Sequence, residues 1–130
     1  MIVNLKTELL LSYCDPFGRN VWGNPISREE VLLALSQNRL VSDFEDKSDP
    51  AGRVAYLVVH KAEDPIEIDV GQLDSFAEWF ITDGNHRFAA ALLRGDQEIL
   101  CSISGCPEYI EHFFGLDRLG AMPVQPAKQP

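Results

Sequence analysis

Residues 81–91 read Ile-Thr-Asp-Gly-Asn-His-Arg-Phe-Ala-Ala-Ala, and this stretch decides the fold. The apolar residues before Asp83 predict a strand, and Asp83-Gly84-Asn85-His86 has the composition of a turn. The residues from Arg87 to Arg94 are strong helix formers, closed by Gly95 as a C-terminal cap. A strand therefore runs through a glycine turn directly into a helix.

This strand–turn–helix segment is a candidate anion site. The first backbone N–H groups of a helix have no partner within it and carry about half a positive charge. Gly84 would allow a ligand close to the backbone, and His86 and Arg87 add side-chain donors, with Arg87 able to grip two phosphate oxygens. The alternative is a purely structural turn, in which Asp83 caps the helix and the two basic side chains pair with neighbouring acids.

The remaining pattern indicates a mixed α/β domain with a small sheet flanked by helices. A Ser-x-x-Glu capping box at Ser27–Glu30 predicts a helix over residues 28–38. Residues 43–52 read as a solvated acidic loop. Further strands are predicted at Arg53–His60, at Ile66–Val70 with strict alternation, at Phe76–Thr82, where residues 77–80 would also tolerate a helix, and at Ile99–Ser104. A last short helix is predicted at Pro107–Phe114.

The charge of the chain is strongly acidic but unevenly placed. The 130 residues have a formal net charge of −9, and residues 41–80 contain ten acids and three bases. Broad electrostatic binding to DNA is therefore not expected, because such binding depends on the phosphates that Lys and Arg neutralise. The nearly neutral flanks leave room for a local anion site around residue 86.

Length and cysteine content indicate one reduced, cytoplasmic domain. The three cysteines form no C-x-x-C pair, and no metal site is expected. No apolar run is long enough for a membrane helix, and the N-terminus lacks the pattern of a signal peptide. We divide the chain into an N-terminal strand and loop segment at 1–24, a folded domain at 25–118 and a disordered Pro-rich tail at 119–130.

The Asp-Gly-Asn-His-Arg turn resembles the signature of the ParB/sulfiredoxin superfamily, which has Gly-Cys-His-Arg or Gly-x-x-Arg between a strand and a helix. The similarity continues through His86–Ala90, the strand at Glu98–Ile103 and the aromatic-x-Gly ending of Ile110–Gly115. The helix at 28–38 and a following strand at Val54–Val59 also match the order of the superfamily. The resemblance covers about residues 25–118.

The resemblance implies binding of a nucleotide such as ATP or CTP, with Mg²⁺ as a possible companion, by Gly84, Asn85, His86 and Arg87. It does not extend to cysteine sulfinic acid reduction, because Asn85 stands where sulfiredoxins have their catalytic cysteine, and an amide cannot replace a thiolate. The helix-turn-helix region of chromosome-partitioning ParB proteins has no counterpart in these 130 residues.

Relatives that transfer phosphoryl groups suggest catalytic candidates. Glu30, Asp83 and His86 are the residues we would assign to a phosphotransferase, or to a nucleotide or phosphodiester hydrolase. A metal-dependent hydrolase would need Asp83 together with one of the acids Asp64, Glu67 or Asp69.

A second hypothesis needs no catalysis. The same fold could serve as a regulatory or inhibitory protein whose acidic surface, residues 43–49 and 63–74, binds a basic protein partner or mimics DNA. In that case the turn would be kept for stability or for binding a small anion.

Overall fold

The computed structural model describes residues 1–17, 26–73 and 79–115. In chain order the described elements are β1 (Ile2–Lys6), α1 (Thr7–Leu11), α2 (Arg28–Ser36), α3 (Pro50–Val59), β2 (Ile66–Asp69), β3 (Phe80–Asp83), α4 (Asn85–Arg94), β4 (Glu98–Ser104) and α5 (Pro107–Phe114). The predicted tail at 119–130, residues 18–24 of the N-terminal segment and residues 76–78 of one predicted strand lie outside the described residues.

The four strands form one open mixed sheet in the order β1-β4-β2-β3. β4 runs antiparallel to β1 and parallel to β2, and β2 runs antiparallel to β3. β2 buries Ile66 and Ile68 and exposes Glu67 and Asp69, as its alternating sequence predicts. The expected α/β class with a small mixed sheet is confirmed at this level.

One predicted element is wrong. The apolar run Val54–His60 is not a strand but most of α3, which begins with Asp49 as N-cap and Pro50 in the first turn. The Asp49 carboxylate accepts a hydrogen bond of 3.1 Å from the Gly52 N–H. The run is continuously apolar because the helix packs between α2 and α4, and not because it lies inside a sheet.

Two hydrophobic clusters meet at α4. One joins the sheet to α1 and α5 and includes Phe88 and Leu92 of α4. The other joins α2 and α3 and includes Ala89, Ala90 and Leu93. The small alanines bring α3 close to α4, and this packing sets α3 and the loop before it beside the turn at residues 83–87.

The local signals for the other elements are confirmed. Ser27 and Glu30 form the reciprocal capping box at the start of α2. Helices α4 and α5 end at Gly95 and Gly115, both left-handed with φ of 78° and 66°. Each of these helix ends depends on a few neighbouring residues, so the sequence pattern is sufficient to locate it.

Candidate functional site

Gly84 joins β3 to α4 in a conformation that only glycine adopts easily. Its φ is 106°, and an added Cβ would lie 2.6 Å from Cγ2 and 3.1 Å from Cα of Ile66. The carbonyl of Gly84 accepts the first helical hydrogen bond from the Phe88 N–H at 2.9 Å, and as the N-cap residue Gly84 provides no side-chain cap to α4. The glycine therefore serves close packing on β2 and leaves space beside the positive end of the helix dipole.

Arg87 ties α4 to the segment before β2. Its Nη1 donates to the carbonyl oxygens of Asp64 and Pro65 at 3.0 Å each, and its Nη2 donates to Asp83 Oδ2 at 3.1 Å. The side chain of Arg87 is only 19% exposed. These three hydrogen bonds favour the alternative of a structural turn, in which Arg87 supports the fold. A bound phosphate would have to share the guanidinium with these acceptors.

Two cations, Arg53 and Lys47, act on the His86 imidazole. Burial, Arg53 and Lys47 together lower its pKa from 6.5 to about 4, and Asp83 opposes them only weakly. At neutral pH the imidazole is thus uncharged and able to accept a proton. Lys47 and Arg53, which the sequence analysis did not single out, therefore lie near His86.

A groove of about 820 Å³ contains these groups. One wall, which we call the turn wall, is formed by Asp83, Gly84, His86 and Arg87. A second part of the lining, which we call the loop wall, consists of Phe44, Asp46, Lys47, Pro50 and Arg53, from the 43–49 loop and the start of α3. No spacing in the sequence connects residue 47 with residue 86, so tertiary structure alone shows that they share a site.

Asp43 and Asp46 both accept hydrogen bonds from residues of their own loop. Asp43 Oδ1 accepts from the Glu45 N–H at 2.9 Å, and Asp46 Oδ1 accepts from the N–H and Oγ of Ser48 at 3.0 and 2.6 Å. The bonds from Ser48 lower the pKa of Asp46, so its carboxylate stays ionised within the loop. Lys47, by contrast, makes no hydrogen bond or ion pair with any described residue.

Glu30 lies elsewhere. Its Oε1 accepts from the N–H and Oγ of Ser27 at 3.4 and 3.2 Å. It lines a separate cavity of about 210 Å³ with Arg39 and Asp49, and it does not line the groove. The structure brings Asp83 and His86 together but not Glu30.

Asn85 occupies the first position of α4. Its Nδ2 donates to the carbonyl oxygen of Ile81 at 3.4 Å, while its buried Oδ1 has no hydrogen-bond partner among the residues that the structure describes. The side chain thus points back along β3, and Asn85 is the one motif residue from 83 to 87 that does not line the groove.

Several further acids lie in or near the groove. Glu67 and Asp83 are direct partners across β2 and β3, and both line the groove, as does Asp64. Asp69 does not, and its carboxylate accepts from the Gly71 N–H at 2.8 Å. Within residues 1–17, 26–73 and 79–115 there is no group of three or more His, Cys, Asp or Glu side chains that could hold a metal ion by itself.

None of the three cysteines lines the groove. Cys101 is fully buried in β4, as its place in an apolar strand predicts, and burial raises its pKa to about 12. Cys106 is buried at the start of α5, with its Sγ 2.8 Å from Glu108 Oε2. The groove therefore offers carboxylates, an imidazole and cations, but no thiol.

Comparison with known proteins finds no matching family model, no similar curated protein and no similar solved structure. In the part of the chain that the structure describes, no helix is long and apolar enough to cross a membrane. Conclusions about function therefore depend on the geometry of the groove.

Proposed function

We propose that this chain is a nucleotide-binding domain of the ParB/sulfiredoxin type and that its groove holds the phosphates of ATP or CTP. The observation that carries the proposal is that Lys47, Arg53 and His86 line one groove with Gly84, the glycine N-cap of α4. Phosphate oxygens would receive hydrogen bonds from the helix and charge from the two cationic side chains.

The arrangement of elements supports the superfamily assignment from residue 66 onward. β2, β3, the Gly84 turn, α4, β4 and α5 follow in the expected order. The strand expected at Val54–Val59 does not support it, because those residues are helical. β2 is the strand that follows the helical segment instead.

The acids of the groove are compatible with a phosphate ligand. Asp83 forms an ion pair with Arg87, and Asp46 stays ionised but directs one carboxylate oxygen to Ser48 within its own loop. Glu67 lies beside Asp83 across the strands, and two carboxylates with nucleotide phosphates are the usual ligands of Mg²⁺. The Mg²⁺ in this proposal therefore arrives with the nucleotide.

The same groups define what chemistry the groove would support. Asp83 and the uncharged His86 are the residues on the turn wall able to accept a proton from an attacking hydroxyl or water. Glu30 has no part in this proposal, because it lies in another cavity. Reduction of a cysteine sulfinic acid has no part in it either, since no thiol lines the groove.

Isothermal titration calorimetry with ATP, ADP, CTP and GTP, each with and without Mg²⁺, tests the proposal. We expect Lys47→Ala to weaken binding of the preferred nucleotide about 5- to 10-fold, because it removes one charge and no hydrogen bond or ion pair with a described residue. Lys6→Ala, which removes an exposed lysine on β1 away from the groove, is the matched control and should bind as wild type does. No binding of any nucleotide, or equal effects of the two substitutions, would refute the proposal.

The regulatory alternative has its own supporting observation. Glu63, Asp64, Glu67 and Asp69 are all exposed on one short segment of the chain. If wild type bound a polylysine peptide in low salt, released it in high salt and ignored every nucleotide, the acidic-surface hypothesis would replace nucleotide binding.

A further inference from the structure

Phe44 is an unusual feature of the groove. Its side chain is 73% exposed, the largest value among the exposed large apolar side chains that the structure describes. It lines the groove three residues before Lys47. A single exposed apolar residue is ordinary on a protein surface, but an aromatic one beside a cationic cluster in a groove offers a particular kind of contact.

The loop holds Phe44 in a defined place. The Asp46 N–H donates to the Asp43 carbonyl oxygen at 3.1 Å, which closes a turn with Phe44 at its second position. The Asp43 carboxylate also accepts a hydrogen bond of 2.9 Å from the N–H of Glu45, the residue after Phe44. Phe44 is thus presented by a backbone that is already ordered, and little entropy is lost when a ligand contacts it.

The lining of the groove is chemically mixed. Lys47 and Arg53 provide positive charge, whereas Phe44, Pro50, Leu57, Ala62 and Pro65 provide apolar surface. A ligand that matches both parts has a flat apolar ring system joined to an anionic group. A nucleotide is such a ligand, and every nucleobase has a face that stacks on an aromatic ring.

We infer that Phe44 is the base-binding residue of the groove and that the nucleobase stacks on its ring while the phosphates lie between Lys47, Arg53 and the N-terminus of α4. This inference rests on the proposed function and adds to it the position of the base. Stacking is tolerant of base identity and grows with ring area. ATP and GTP should therefore bind about equally, and both more tightly than CTP.

The test compares ATP with inorganic tripolyphosphate, which has the phosphates but no base. For wild type we expect ATP to bind about 10-fold more tightly than tripolyphosphate, within the range that stacking of one base supplies. Phe44→Ala should remove this difference by weakening ATP binding and leave tripolyphosphate within 2-fold of wild type. Phe44→Trp should restore ATP binding. Leu32→Ala, which shortens an exposed apolar side chain of α2 away from the groove, should change neither ligand.

The possible outcomes distinguish base stacking on Phe44 from phosphate binding in the groove. If tripolyphosphate and ATP bind wild type equally well, or if Phe44→Ala weakens both alike, the inference is wrong and phosphate binding in the groove survives. If neither ligand binds wild type, the proposed function and the inference fail together.

Discussion

The turn wall and the loop wall of the groove differ in one cation: Arg87 of the turn wall is hydrogen-bonded within the protein, whereas Lys47 of the loop wall makes no hydrogen bond or ion pair with a described residue. On the turn wall Arg87 satisfies two carbonyl oxygens and Asp83, and Gly84 allows close contact with Ile66. On the loop wall Asp46 bonds to Ser48, Arg53 donates to the carbonyl oxygens of Val41 and Ser42, and only Lys47 makes no hydrogen bond or ion pair with a described residue. The residues that form the most recognisable motif thus mainly support the fold, whereas a loop of ordinary appearance presents the unpaired charge.

This difference follows from where each wall stands in the fold. The turn wall belongs to β3 and α4, and its backbone must be satisfied inside the protein. The loop wall belongs to the 43–49 loop and the start of α3, and the loop closes by local hydrogen bonds. We therefore expect substitutions in the turn wall to affect mainly stability, and substitution of Lys47 in the loop wall to affect mainly binding.

The largest effect is expected for Gly84→Ala. A Cβ there would meet Cγ2, Cβ and Cα of Ile66 at 2.6, 2.8 and 3.1 Å, and the φ of 106° adds strain. We expect a loss of about 3 kcal/mol in the free energy of unfolding, measured by urea denaturation. Gly95→Ala is the matched control, because its φ is also positive but nothing lies within 4 Å of the new atom, and about 1 kcal/mol should be lost. Equal losses at both sites would mean that close packing on β2 does not explain Gly84.

An intermediate effect is expected for Arg87→Ala. The substitution leaves the carbonyl oxygens of Asp64 and Pro65 without their donor, and about 2 kcal/mol of unfolding free energy should be lost. Lys47→Ala should change stability by less than about 0.5 kcal/mol, because no described contact is removed. The same urea experiment measures both variants. A stable Arg87→Ala protein, or an unstable Lys47→Ala protein, would reverse the roles we assign to the two walls.

The smallest effect is a dependence of stability on pH through His86. Its pKa is about 4 in the folded protein and 6.5 in the unfolded chain, so between these values the unfolded chain binds a proton that the folded protein does not. The free energy of unfolding should therefore fall as pH drops from 7 to 4, by about 1–2 kcal/mol from this group, an amount reduced because the ring is partly exposed.

His86→Gln provides the reference for this measurement, since carboxylates also titrate over part of the range. The difference between the urea denaturation curves of wild type and His86→Gln, recorded from pH 7 to pH 4, isolates the imidazole. Lys47→Ala should reduce the difference, because Lys47 is one of the charges that lower the pKa of His86. An unchanged difference would show that the two walls are not coupled electrostatically.

The strand and helix predictions succeeded where a few adjacent residues decide the structure. The Ser27 capping box, the alternation in β2 and the glycine stops of α4 and α5 are local signals, and all four are present in the structure. The prediction failed at α3, because it relied on the β-branched residues of Val54–Val59 and did not use the helix-start signal that precedes them. Asp49 followed by Pro50 is the N-cap and first-turn pattern of a helix, and it identifies the start of α3.

The candidate site was only partly predictable. The turn at Asp83–Arg87 was found because a strand, a glycine and a helix follow one another in sequence. The loop wall was missed, because an acidic stretch normally indicates a solvated surface and nothing in the stretch shows that its carboxylates bond to their own loop. For Glu30 the sequence predicted the capping box correctly, but it did not show that this residue lies in a different cavity from Asp83 and His86.

The sequence by itself determined the mixed α/β class, the turn that joins β3 to α4, and the caps that begin and end the helices. Each depends on the conformational preferences of neighbouring residues, such as the freedom of Gly84 at positive φ. Only the tertiary structure decided that α3 packs on the alanines of α4 and that Lys47 and Arg53 therefore face His86. These contacts join residues more than thirty positions apart, and their geometry depends on how whole helices pack, which no short stretch of sequence contains.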